Sequence, residues 1–385
     1  MTTRLYDHGD CLTFSAVVLN CIPHNDEWAV LLNQSAFFPG GGGQAADSGT
    51  LDGLPLRGIY EEKGELWHCV DAPLTIGATV EGCIDADLRL RRMQNHSGEH
   101  IISGLIWREH RLNNIGFHMG HEDVTLDLDG TLTREQLDRI ETMANEIIAQ
   151  NLPISIDYPA QEQLAALEYR SKLDLTENVR IVSIGENGSV DRCACCAPHL
   201  ARTGQIGIIK LLDFIHYKGG IRIHMLCGLD ALRDYRERYE AVSSIAASLS
   251  VKQNGVLEAV SRLENEIGAH KAKQTALCNR LIDMHVQAID TSSGQTVLIF
   301  EPLFSADSLR FLVNAALTRT DTVLALSGDD EIGYTYVLGS NLHNSRQLCA
   351  AMHSTLGGKG GGTDEMVRGK LPTKRTEIEA YFTKA

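Results

Sequence analysis

Two histidines four residues apart, His96 and His100, lie in the stretch RRMQNHSGEHIISGL (91–105), and this pair constrains the fold more than any other feature. The stretch has no Pro, and Ile101, Ile102, Leu105 and Ile106 recur at helical spacing, which predicts a helix from near Asp87 to about His110. Residues i and i+4 stand one above the other on a single helix face. Two imidazoles so placed can grip one metal ion, zinc being the usual one. A pair of histidines on a half-buried face is the plainer alternative, and the pair alone does not choose. If a metal is held here, the other ligands must come from elsewhere in the chain.

A length of 385 residues leaves room for two or three domains, each with its own core. With 43% hydrophobic and 22% charged residues, the composition is that of a globular protein. The first ten residues are polar and no apolar run with a cleavage site follows, so no signal peptide is expected. Nor does any apolar run approach the roughly 18 residues that span a bilayer; no membrane partner is expected. Of the ten cysteines, Cys193, Cys195 and Cys196 crowd into four residues, which fits a thiol or metal site in a reducing compartment, by default the cytoplasm. The net charge of −15 argues against broad, non-specific nucleic-acid binding but leaves room for a local basic patch.

Along the chain the pattern predicts an α+β multidomain protein. Residues 1–88 are β-rich: CLTFSAVVLNCI, WAVLLNQ, LPLRGIY, LWHCV and TVEGCI are short strands of a small barrel or sandwich. Within them Gly40–Gly43 cannot be ordinary strand interior, and glycines there allow positive φ and close approach of backbone N–H groups to a ligand; a flexible surface loop is the alternative. Residues 89–230 carry the histidine helix, then GFHMG ahead of a strand at 123–130. A helix over 131–151 follows, capped by Thr133 with Gln136, then a strand at ISIDY and a helix over 159–170. Two hairpins close this part, one turning at Glu186–Gly188 and one over 216–228. Residues 231–290 read as two helices broken near Lys252–Gly255, an arm or antiparallel coiled coil. The final part, 291–385, is a compact α/β unit ending in the glycine-rich LGGKGGGTDEMVRGKL.

The missing ligands are expected at 193–199. Cys195 and His199 stand four apart, Cys196 and His199 three apart, and thiolate and imidazole are the ligands zinc prefers. His96, His100, Cys195 and His199 would close one tetrahedral site. HSGEH also fits the inverzincin pattern H-x-x-E-H, with Glu99 as general base and a downstream residue such as Glu177 as third ligand, a peptidase in which the cysteines have no role.

MQNHSGEHIISG resembles the first zinc motif of the editing domain of alanyl-tRNA synthetases and of free-standing alanyl-tRNA editing proteins. CCAPHLARTGQIG resembles their second motif, FFPGGGGQAADSGTL their GGQ segment, and LGGKGGG the glycine-rich end of their DHHA1 domain, in the same order over essentially the whole chain. No part resembles the ATP-binding aminoacylation domain, so the chain is similar to the long free-standing form. The resemblance implies an N-terminal glycine-motif domain, a zinc editing domain, a helical arm and a C-terminal DHHA1-like α/β domain. It places the C-x-x-x-H pair on Cys195 and His199, with one zinc per chain.

The implied reaction is hydrolysis of the ester joining serine or glycine to alanine tRNA. Such an activity is needed because an alanine site rejects a smaller glycine, or an isostere bearing one added hydroxyl, only weakly. Gln44 matches the GGQ glutamine and would hold water or the serine hydroxyl, Gly42 and Gly43 would admit the terminal adenosine, and Glu99 is a candidate acid or base. Arg92 beside the metal helix, Lys218 and Arg222 flanking Gly219–Gly220, and Lys359 and Arg368 in the basic C-terminal segment are the candidate tRNA contacts. A homodimer would form through the C-terminal domain or the arm. A non-catalytic tRNA-binding module with a structural zinc is the competing function.

Overall fold

A computed structural model describes residues 2–120, 124–171, 179–290 and 296–384. It is an α+β protein with several sheets and, among the described residues, eight α-helices. The chain divides into two compact units, Met1–Val242 and Ser243–Ala385. No helix among the described residues is long and apolar enough to cross a membrane.

The first unit begins with a seven-stranded antiparallel sheet in the order 54–55, 49–51, 79–84, 13–24, 27–32, 65–70, 58–62. Its spine is Thr13–His24, where Phe14, Ala16 and Val18 face inward and the residues between them are exposed or half-buried, the period-two pattern of a one-sided strand. This strand changes partner midway: Thr13–Val17 pair with 79–83, and Val18–His24 pair with 27–32. The register slips between Val18 and Asn20, where the change occurs, and an inserted residue bends a strand enough to serve two neighbours.

His68 lies in this sheet, fully buried, with Nε2 2.7 Å from Ser35 Oγ and Nδ1 3.2 Å from the Val30 carbonyl. Burial pushes its imidazole down to about 4, against the raising effect of the Val30 carbonyl. Because the folded value lies below the unfolded one, the unfolded chain takes up a proton that the folded chain refuses. The stability this contributes is present above about pH 6.5 and is lost as pH falls toward 4, amounting to about 3 kcal/mol over that window. Trp28, Trp67 and Trp107 all lie in the first unit, so urea unfolding followed by tryptophan fluorescence reports on it. The wild type should lose stability with acid more steeply than His68→Gln; parallel pH profiles would contradict this assignment.

Helix α1 (Ala86–His110) is the centre of the unit. Asp85 caps it by accepting from Leu88 N, and Arg111 ends it in the left-handed conformation. From Met93 to Ile106 every residue is buried, apolar and polar alike. Ile101, Ile102, Leu105 and Ile106 pack against Leu126, Ile221, Ile223 and Met225 of the four-stranded antiparallel sheet ordered 114–119, 124–128, 220–227, 209–217; each such residue contributes about 1.5–3 kcal/mol. The polar residues are costly unless bonded, and they are bonded: Gln94 donates to Gln205 O and Asn95 accepts from Cys227 N. At the helix start Arg89, with no exposed surface, pairs with buried Asp47 and donates to the Gly9 and Ala36 carbonyls. Gly98 and Gly104 each cost roughly 1 kcal/mol relative to Ala inside a helix. Both are crowded: a Cβ at 98 would meet Cys227 Sγ at 2.3 Å, and one at 104 would meet Asp191 Cβ at 2.7 Å.

Helix α2 (Arg134–Gln150) starts with the expected capping box, Gln136 N donating to Thr133 Oγ1 and Thr133 N to Gln136 Oε1. Two expectations are modified, one extended and one cut back. GFHMG precedes a strand as expected, Val124–Leu128, but its residues 116–119 are themselves part of a strand, Asn114–Met119, that pairs with it. The helix expected over 159–170 is only α3 (Gln161–Ala166). It stops because Arg170 bridges alongside Cys193, its N donating to Arg192 O at 2.8 Å and its carbonyl accepting from Ala194 N at 2.9 Å. The two expected hairpins are present, 181–184 with 191–194 around Glu186–Gly188, and 209–217 with 220–227.

Helices α4 (Gly228–Ser248) and α5 (Val256–Gln287) are broken where the sequence indicates. Residues 261–277 of α5 are all exposed. In the second unit a five-stranded sheet runs 297–300, 322–329, 333–340, 366–371, 359–362, with the first pair parallel and the others antiparallel. Val323 and Ala325 face one way, toward Leu309, Leu312 and Val313 of α6 (Ala306–Ala316). Leu324 and Leu326 face the other, toward Cys349 and Met352 of α7 (Ser345–Leu356) and Ile378 of α8 (Arg375–Lys384). The segment GGKGGG supplies the edge strand Lys359–Gly362, paired with 367–370. Its glycines fit a packing need: a Cβ at Gly360 would lie 2.6 Å from the hydroxyl of buried Tyr336.

Candidate metal centre

His96, Glu99, His100 and Ser103 fall at i, i+3, i+4 and i+7 on α1 and so share one face. The turn after strand Asp191–Ala194 delivers Cys195 and His199 to that face, and one donor atom from each of His96, His100, Cys195 and His199 lies within 4.8 Å of the others. Cys195 Sγ is 3.6 Å from His96 Nε2 and 3.4 Å from His199 Nε2. A tetrahedral zinc with bonds of about 2.0–2.3 Å spaces its nitrogen and sulfur donors roughly 3.5 Å apart, so the donor set fits such an ion in identity and spacing.

Each imidazole meets an outer partner through Nδ1: His96 at Gln44 Oε1, 2.8 Å; His100 at Asp191 Oδ2, 3.1 Å; His199 at Ser97 Oγ, 3.1 Å. A ring that donates through Nδ1 turns the lone pair of Nε2 inward, the form a metal takes. Burial pushes the His199 imidazole down to about 3. Burial would raise the Cys195 thiol, but the surrounding imidazoles of His96 and His199 hold it well below its ordinary value. Burial lowers the His100 imidazole too, but Cys193, Asp191 and Cys195 raise it more and hold it well above its ordinary value, so a divalent cation binding here displaces a proton from it.

The turn carrying Cys195 and His199 is pinned by Arg180, whose Nη1 donates to the carbonyls of Cys195 at 2.8 Å and Ala197 at 2.9 Å while Nε pairs with Asp7 at 2.7 Å. Gly40–Gly43 all have positive φ, and Gly41 and Gln44 exchange backbone hydrogen bonds of 2.9 and 3.0 Å. The tetrad is therefore a tight turn that seats Gln44, 3% exposed, against His96. Gln44 Nε2 is buried with no hydrogen-bond partner among the described residues.

A cavity of about 370 Å³ opens beside the cluster, lined among others by Gly42, Glu99, His100, Phe117, Tyr158 and Arg170. Glu99 is 4% exposed; its Oε1 accepts from Ser103 Oγ and Asn114 Nδ2, and its Oε2 lies 3.9 Å from His100 Nε2. Cys193 also lines the cavity, and burial pushes its thiol up to about 11. Cys196 is exposed. Glu177, the third ligand of the peptidase reading, lies outside the described residues.

Gly43 is pressed against Phe117, whose carbonyl a Cβ there would meet at 2.5 Å. Arg92 is turned inward, donating to Ala46 O at 2.6 Å and lying 3.8 Å from Asp47. Lys218 is exposed at the hairpin turn, and Arg222 holds Asp127 through two hydrogen bonds of 2.6 and 2.8 Å while lying over Tyr217. Lys359 and Arg368 are exposed on neighbouring strands of the second unit. Sequence reasoning missed Arg170, Arg180 and Asp191. A signal for Asp191 exists: it stands two residues before Cys193 on the strand Asp191–Ala194 and so shares a face with it.

Residues 179–234 match the family described as the second additional domain of threonyl and alanyl tRNA synthetases. Over 98% of its length the chain is 27% identical to the alanyl-tRNA editing protein AlaX-L of Pyrococcus horikoshii, covering 96% of that protein. It is 28% identical to the alanine–tRNA ligase of Methanoregula boonei over 96% of this chain, and 28% identical to that of Natronomonas pharaonis over 95%. The chain spans 42% and 41% of the length of those two ligases. Along nearly its whole length the chain thus resembles the long, free-standing alanyl-tRNA editing proteins, and its residues 179–234 resemble the editing region of alanyl-tRNA synthetases.

Proposed function

We propose that the chain is a hydrolase that removes serine or glycine wrongly attached to alanine tRNA. The observation that carries this reading is the convergence of three imidazoles and one thiol, of which His96, His100 and Cys195 line a cavity that also holds Glu99. His96, His100, Cys195 and His199 would hold one zinc ion, which when bound polarises an ester carbonyl or makes water more acidic. Four protein ligands ordinarily mark a closed site, so the proton transfers beside it fall to this chain's own groups.

Glu99 Oε2 accepts the proton of the attacking water. As the ester C–O bond breaks, it returns that proton to the ribose oxygen of the departing tRNA, a role worth roughly 10²–10⁴-fold. Gln44, whose Oε1 is engaged with His96, has its amide N–H groups left to hold the water or the serine hydroxyl. Gly42 on the cavity wall leaves space for the terminal adenosine against the backbone. Lys218, Arg222, Lys359 and Arg368 contact tRNA phosphates on a chain that is otherwise acidic. The glycine-motif part (1–88), the zinc part (89–230), the arm (231–290) and the C-terminal part (291–385) then divide hydrolysis from tRNA holding.

The experiment is deacylation of serine-, glycine- and alanine-charged alanine tRNA side by side. Serine or glycine should be released and alanine spared. Affinity for the tRNA with all three esters intact would favour the non-catalytic module, and peptide cleavage that tolerates Cys195→Ala would favour the peptidase.

A further inference from the structure

We infer that Asp191, clamped by Arg170, is the positioning residue that fixes the orientation and proton of His100, and that Gly104 is the gap in α1 that lets it reach the ring. The inference rests on the metal reading above.

Three features support it. Asp191 is 4% exposed and receives Nδ1 of His100 at 3.1 Å. Of the three outer partners it alone is a carboxylate; His96 meets an amide oxygen and His199 a hydroxyl. A charge-assisted bond is roughly twice as strong as a neutral one, so His100 is the ring whose Nδ1 proton is held most firmly. A buried carboxylate also needs a countercharge. Arg170 supplies it through Nε at 2.7 Å and Nη2 at 2.8 Å, and its own backbone is zipped to the strand that carries Asp191.

Gly104 lies four residues beyond His100, on the same helix face. A Cβ there would be 2.7 Å from Asp191 Cβ, 2.8 Å from the Val190 carbonyl and 2.9 Å from Asp191 Oδ1. Any side chain at 104 would therefore push away the strand that brings the carboxylate to the ring. A glycine in the middle of a long helix is explained by this approach.

The test is zinc affinity of the full-length chain, measured by competition with a chromophoric chelator. Asp191→Asn keeps an oxygen for Nδ1 but removes the charge, and should weaken zinc binding about 10–100-fold. In a His100→Ala background the same change should alter affinity less than about twofold, since the ring it acts on is gone. Gly104→Ala substitutes neither a ligand nor Asp191 but displaces the carboxylate from the ring, and should weaken binding in the same direction. It carries the test if Asp191→Asn yields no folded protein. Equal losses with and without His100 would assign Asp191 a general structural role and overturn the inference, as would unchanged affinity in Asp191→Asn and Gly104→Ala. A wild type that binds no zinc would instead remove the metal reading on which the inference stands.

Discussion

Cys195→Ala should bind zinc far more weakly than the wild type and lose deacylation of serine-charged alanine tRNA by roughly 10³-fold or more. The sulfur is the one anionic donor in the set, and its thiol is held well below the ordinary value by the imidazoles around it. Removing it leaves three imidazole rings, each still bonded through Nδ1. The fold should survive, because α1 is anchored independently by Ile101, Ile102, Leu105 and Ile106 in the core and by Arg89 on Asp47. This separates the account from a purely structural zinc: circular dichroism of Cys195→Ala should match the wild type, whereas a structural site predicts loss of fold along with the metal. An active Cys195→Ala protein would contradict the account.

The second large effect is expected at Glu99. Glu99→Gln keeps the shape and an acceptor for Ser103 and Asn114 but cannot take up a proton. The rate of ester hydrolysis under saturating substrate should fall about 10²–10⁴-fold while zinc affinity stays within a few-fold. Glu99 Oε2 lies near His100 Nε2, at 3.9 Å, without being one of the four donors that converge, which is why the two effects should separate. A variant with wild-type turnover would return Glu99 to the role of a buried hydrogen-bond acceptor.

The two predictions rest on features of different legibility in the sequence. His96 and His100 could be read because helical spacing fixes them to one face, and Thr133 with Gln136 because a capping box is local. The hairpin turning at Glu186–Gly188 was legible for the same reason. Glu99 was harder: its burial is set by Ser103 on its own helix and by Asn114 on a strand, and the strand contact comes only from packing. Asp191 reaches His100 across 91 residues of sequence, a pairing no local pattern encodes.

The shortened helix α3 failed for a related reason. The helical propensity of 159–170 is overridden where the Arg170 backbone bridges to Cys193 on the neighbouring strand. The Gly40–Gly43 turn and the Lys359–Gly362 edge strand look alike in composition but do different things. One seats Gln44 against a histidine with every φ positive; the other passes a backbone over Tyr336. Composition identifies neither use.

The most direct measurement of the central claim compares one preparation in three states on serine-charged alanine tRNA: as purified, after exhaustive chelation, and after return of one equivalent of zinc. The account predicts that release of serine is abolished by chelation and restored by zinc, with the fold unchanged throughout. Serine release at the same rate in all three states would contradict it.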